Sequence, residues 1–107
     1  MQAGFARGIE LFNAGEFYEC HEVLEAVWMQ ATGAHRWFLQ SLIHLAVAYY
    51  QHGRGNAIGE RLQFEKGLKK LAGYLPAFEG IDTKALYEDV IDWRESGGPP
   101  PVIASLA

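Results

Sequence analysis

Residues 35–51 constrain the fold more than any other part of the chain. They include Trp37, Phe38, Leu39, Leu42, Ile43, Leu45, Val47, Tyr49 and Tyr50, and they contain no Lys, Asp or Glu. A helix that is apolar around most of its circumference has to be covered by other elements, so this segment is predicted to be the central helix. Its neighbours are expected to be helices too. No strand-like alternation is sustained anywhere, and Ala and Leu together number 25 against 13 for Val, Ile and Thr, a balance that favours helix.

The punctuation marks supply the boundaries. A first helix over about 3–12 places Phe5, Ile9 and Phe12 on one face and ends at Asn13-Ala14-Gly15, residues that tolerate the left-handed conformation of a helix stop. A second over about 17–31 carries Phe17, Cys20, Leu24, Val27 and Trp28 on one arc, and Gly33 breaks it. After Gly53-Arg54-Gly55, Asn56 is placed to cap a fourth helix running to about 74, with Ile58, Leu62, Leu68, Leu71 and Leu75 directed inward. Gly59 inside it costs about 1 kcal/mol relative to Ala, which predicts the close approach of another helix. Pro76 bars continuation, and Asp82 or Thr83 caps a short fifth helix to about 94. The expected fold class is therefore all-α, a compact array of four main helices plus a short fifth. Residues 1–95 form one domain, and 96–107, opening on Ser96-Gly97-Gly98-Pro99-Pro100-Pro101, form an extended Pro-rich C-terminal arm.

Thirteen acidic and nine basic residues give a net charge of −4, and no broad basic footprint calls for a nucleic acid. The charge is nevertheless segregated. Residues 1–34 hold one basic and five acidic residues, 35–75 hold six and two, and 76–107 hold two and six. Acidic first and last segments thus flank a basic middle, which predicts that they pack against it with internal charge complementarity. The single cysteine, Cys20, excludes an intrachain disulfide and suits a reducing compartment. No apolar run approaches the ~20 residues of a spanning helix. The first residues also lack a signal-peptide layout, so a cytoplasmic protein without membrane association is expected.

Chemistry concentrates at His21-Glu22-x-x-Glu25-x-x-Trp28. His21 and Glu25 lie one turn apart at the edge of the apolar arc, and Arg36, Gln40 and His44 follow at intervals of four on the third helix. Two readings compete. In one, the cluster is a paired structural network between the second and third helices, since buried charge is tolerated when paired. In the other, His21 and Glu25 are joined across the interface by His44 or Glu22 to hold a divalent metal such as zinc, iron or manganese. The His-Glu-x-x-Glu spacing is not that of the His-Glu-x-x-His metalloproteases. Cys20 diverges from His21 by about 100° and is a core residue rather than a nucleophile.

The words LFNAGEFYECHEVLEAVW, RWFLQSLIHLAVAYYQHGRGNAIGERL and GLKKL resemble the bacterial and archaeal family known as domain of unknown function 309. The likeness spans about residues 8–75. It rests on Phe12, Asn13, Gly15, His21, Glu22, Glu25 and Trp28, then Arg36, Phe38, Leu39 and Gln40, then Gly55, Asn56 and Gly59. The resemblance implies a compact helical domain and brings no established activity. His44 stands where the family pattern has Gln, so a metal site relying on it is not implied. The opening pair of helices also resembles a tetratricopeptide hairpin, without a repeat behind it. The leading expectation is a non-enzymatic structural or binding domain that self-associates or takes a protein partner. The alternative is a metal-dependent or acid/base enzyme in which Glu22 or Glu25 is the base and Arg36 holds an anion.

Overall fold

The computed structural model describes residues 2–106. Five α-helices follow in order: α1 (Ala3–Asn13), α2 (Phe17–Gln30), α3 (Gly33–Gly53), α4 (Ala57–Leu71) and α5 (Thr83–Ser96), with a single 3₁₀ turn (Ala72–Tyr74) after α4. The fifth helix is as long as the second, 14 residues each. Among the described residues the only β pairings are isolated bridges in the loop and the C-terminal segment. None of the described helices is long and apolar enough to cross a membrane.

Helix α3 is the axis of the molecule, with α4 and α2 sharing its most extensive contacts. Its inner face is closed by the remaining elements. Phe38 meets Phe5 of α1 at a ring separation of 6.2 Å and Phe78 of the loop at 4.9 Å. Tyr49 meets Phe12 at 5.9 Å, Phe64 at 4.9 Å and Trp93 of α5 at 4.8 Å, mostly edge to face, the geometry that aromatic quadrupoles prefer. Small residues set the closest approaches. Gly8 of α1 lies against Leu24 of α2, and Gly67 of α4 against Leu45 of α3.

Side-chain caps start three helices. Gln2 accepts from the Phe5 amide, Asn56 from Gly59 and Asp82 from Ala85. The crowding at Gly59 differs from expectation: a Cβ there would meet the Asn56 side chain at 2.8 Å. The glycine makes room for its own cap, and the helix crossing is at Gly67. The inner face of α4 also differs. Phe64, Gly67, Leu68 and Leu71 are buried, while Ile58, Leu62 and Leu75 are exposed. Leu62 and Leu68 are six positions apart, which turns them about 120° from each other on a helix, so the two cannot share an arc. Trp37, expected inside, is 53% exposed.

Residues 97–106 contain no helix, and they return to the body. Asn13 donates to the Ile103 carbonyl at 3.0 Å and accepts from its amide at 2.7 Å, and Ile103 is buried. Asp82 and Leu106 amides donate to Ala104 and Gly80 carbonyls. The helix-stop residue of α1 is thus also a clasp. Asn13→Ala is expected to cost about 1–3 kcal/mol, two hydrogen bonds' worth, and to raise amide exchange across 102–106. Unchanged exchange there would show that the clasp contributes nothing.

Candidate functional site

The signature residues divide into three groups. At the junction of α2 and α3, the Arg36 guanidinium lies 3.9 Å from the centre of the Trp28 ring and donates to the carbonyls of Trp28 (3.1 Å) and Ala31 (3.3 Å). Both carbonyls lie at the C-terminal end of α2, where the regular helical ladder runs out and Trp28 otherwise accepts only the short-range Ala31 amide at 3.1 Å. Arg36 is therefore both a cation over an indole face and a C-terminal cap. The polar chemistry around it is incomplete, since Trp28 Nε1 and Gln40 Oε1 are buried without hydrogen-bond partners.

The second group lies about two turns nearer the start of α2, on nearly the same side, since the seven residues from His21 to Trp28 fall only about 20° short of two full turns. His21 Nε2 is 3.1 Å from Glu25 Oε2, and its Nδ1 is 3.2 Å from the Tyr18 carbonyl. Glu22 and Glu25 are exposed. Tyr18, which sequence reasoning did not single out, stands beside His21 and packs on Tyr50 of α3 at 5.2 Å. Tyr18, His21, Val47, Tyr50 and Gln51 line a cleft of about 230 Å³. The signal was present in the sequence: Tyr18 is three residues before His21, on the same side of the helix.

His44 belongs to neither group. Its Nδ1 lies 2.8 Å from Gln63 Oε1 on α4. The expected stripe Arg36, Gln40, His44 drifts by about 40° at each step of four, so two steps carry it about 80° around α3. Arg36 consequently faces α2, and His44 faces α4. The predicted joining of His21 and Glu25 by His44 does not form. Among the described residues no three His, Cys, Asp or Glu side chains converge as a ligand set. Cys20 is fully buried, and burial pushes its thiol up to about 12, so it is a core residue.

Residues 5–62 match the family profile described as domain of unknown function, DUF309. This chain belongs to the DUF309 family. Two relatives are similar over most of the chain. One is an uncharacterized protein of Aquifex aeolicus (strain VF5), 30% identical over 93 residues that make up 83% of this chain and 28% of that protein. The other is uncharacterized protein YpuF of Bacillus subtilis (strain 168), 31% identical over 83 residues, 75% of this chain and 48% of that one. The chain thus spans between about a quarter and a half of the length of these relatives. In this DUF309 chain the Trp28–Arg36 junction and the His21–Glu25 pair both fall inside the matched residues. A wider surface cleft, about 750 Å³ beside Pro76, Lys84 and Tyr87, falls outside them.

His44 gives a pH test of the α3–α4 contact. Burial, the largest influence, holds its ring below the ordinary value of 6.5, and Lys70 and Lys66 push the same way, opposed by the Gln63 hydrogen bond. A depressed folded value means that the unfolded chain takes the proton first. The His44 contribution is whole above 6.5 and is lost as the pH falls through the folded value. His44→Gln, which can still bond Gln63, is expected to flatten the loss of melting temperature between about pH 7 and pH 5. Parallel pH profiles for the two proteins would contradict this.

Proposed function

We propose that this domain is a non-enzymatic binding module that works through the outer face of the α2–α3–α4 layer. The observation that carries the reading is the outer stripe of α3. Trp37, Gln40, Ile43, Val47 and Gln51 all retain solvent access, and between Arg36 and Arg54 the helix carries no Lys, Arg, Asp or Glu. A central helix of a small domain normally keeps solvent off such a stripe or decorates it with charge. Rings from α1, α5 and the 75–82 loop pack on the core face of α3, and among the described residues the stripe on the opposite face stays partly open to solvent.

The enzyme reading asks Arg36 to hold an anionic group and Glu22 or Glu25 to act as a base. Arg36 is engaged with the Trp28 ring and two carbonyls, and the two glutamates open to solvent on the outer side of α2. Similarity to relatives about one and a half to three times as long as this chain also suits a module used alongside other sequence. A reducing, cytoplasmic setting suits the inert Cys20 thiol. Light scattering at increasing concentration, together with a pull-down comparing the protein with Val47→Glu, tests the proposal. Self-association or a recovered partner that Val47→Glu abolishes is expected; a strict monomer that recovers no partner would overturn it.

A further inference from the structure

The charge segregation is not consumed inside the molecule. The sequence predicts that acidic first and last segments pair with the basic middle, yet among the described residues the only Lys or Arg ion pair is Arg7–Glu10, within α1. The other pairs are histidines with glutamates. Opposite charges therefore remain displayed on the two flanks of one surface. Helix α2 offers Glu22 and Glu25 on one side of the uncharged α3 stripe. Helix α4 offers Lys66 and Lys70 on the other, near enough to His44 to disfavour its protonation.

The two flanks also match in level. Glu22 and Glu25 lie between the Tyr18–Tyr50 contact and the Trp28–Arg36 contact, which places them beside the middle of α3. Lys66 and Lys70 bracket the same level, because Gly67 between them lies against His44 and Leu45. Such a surface is complementary to itself under one operation. A two-fold axis along α3 lays each α3 stripe over its copy and puts the acidic flank of one chain over the basic flank of the other, twice. An axis across α3 instead stacks Glu on Glu and Lys on Lys, which is repulsive.

Resting on the reading of this face as the binding surface, we infer that its occupant is a second copy of the chain, in a closed dimer whose two-fold axis runs along α3. A closed two-fold contact is the commonest form of self-assembly. The two longer extents of the molecule, 32 and 25 Å, give an outline on the order of 800 Å², what a standard interface takes from each partner, so the contact would engage most of one side of the chain. The exposed apolar side chains Met29 and Trp37 add to the surface this would cover.

Charge reversal and mixing test the arrangement. Sedimentation equilibrium of the whole chain is expected to give a dimer whose dissociation constant rises about tenfold or more in Glu22→Lys/Glu25→Lys and likewise in Lys66→Glu/Lys70→Glu. These positions are on the surface, and unchanged circular dichroism checks that both variants fold. Mixed in equal amounts, the two variants should regain the wild-type dissociation constant as a heterodimer, because both contacts are then complementary. Dimerisation indifferent to the reversals, or no recovery on mixing, overturns the inference. So does a wild-type monomer at every concentration, and the binding reading then stands or falls on whether the pull-down recovers a different partner that Val47→Glu loses.

Discussion

Arg36→Ala is expected to lower the stability of this domain by about 2–3 kcal/mol, a fall of about 10–20 °C in the melting temperature of a chain this size. The side chain supplies three interactions at once: the stack on Trp28 and donations to the carbonyls of Trp28 and Ala31. A cation over an indole is worth about 0.5–2 kcal/mol, and charge-assisted hydrogen bonds about 1.5–3 kcal/mol each. The sum is not reached, because the interactions share one side chain and water reaches part of the site. Lysine keeps the charge but has neither the planar stack nor the forked donors. Arg36→Lys should therefore recover less than half of the loss. Denaturant titration of the three proteins decides the matter. If Arg36→Ala leaves stability unchanged, the guanidinium is not a structural clamp, and the anion-holding role returns.

The second large effect concerns the α1–α2 contact, where a methyl group added to Gly8 would overlap Leu24 and come within 2.7 Å of its Cγ. Leu24 has no exposed surface into which it could swing. In an open helix Gly→Ala stabilises by about 1 kcal/mol. Here overpacking of about 1–3 kcal/mol or more opposes that gain, and Gly8→Ala is expected to be a net loss of about 1–2 kcal/mol. The pair with Leu24→Ala makes the test specific. Leu24→Ala alone should cost about 2–5 kcal/mol through its cavity. The double variant should cost less than the sum, because the new methyl group enters the space that leucine vacates. Stabilisation by Gly8→Ala would mean that the two helices stand further apart than described.

The order of helices was legible in the sequence because the breaks at Gly15, Gly33 and Pro76 and the cap at Asn56 are local signals, and local signals do not depend on what packs where. Which side of a helix faces inward was less legible. For α3 and α4 the apolar residues outnumber the positions that the core can accept, so composition alone cannot choose among them. Phe64 occupies the inward position that Ile58 and Leu62 were expected to share, and the excess is left outside. The polar cluster shows the same limit. His21, Glu25, Trp28 and Arg36 could be picked out from their spacing, but whether Arg36 faces a ligand or an indole depends on a contact between two helices. His44 was drawn into the same cluster because a fourfold interval reads as one stripe, although its drift hands the side chain to α4. Asn13 had a sufficient local role as a helix stop, so nothing local pointed to a partner 90 residues away.

The surplus of apolar and charged groups on the outer face of the α2–α3–α4 layer is where fold and function meet in this account. A dilution series of the ¹⁵N-labelled protein, followed by its amide resonances, reads that face residue by residue. Concentration-dependent shifts are predicted along the outer stripe of α3, at Gln40, Val47 and Gln51, and on the flanks at Glu22, Glu25, Lys66 and Lys70. Resonances of α1 and α5 should stay in place. Spectra that do not change with concentration, or shifts confined to α1, α5 and the segment 97–106, would contradict the account.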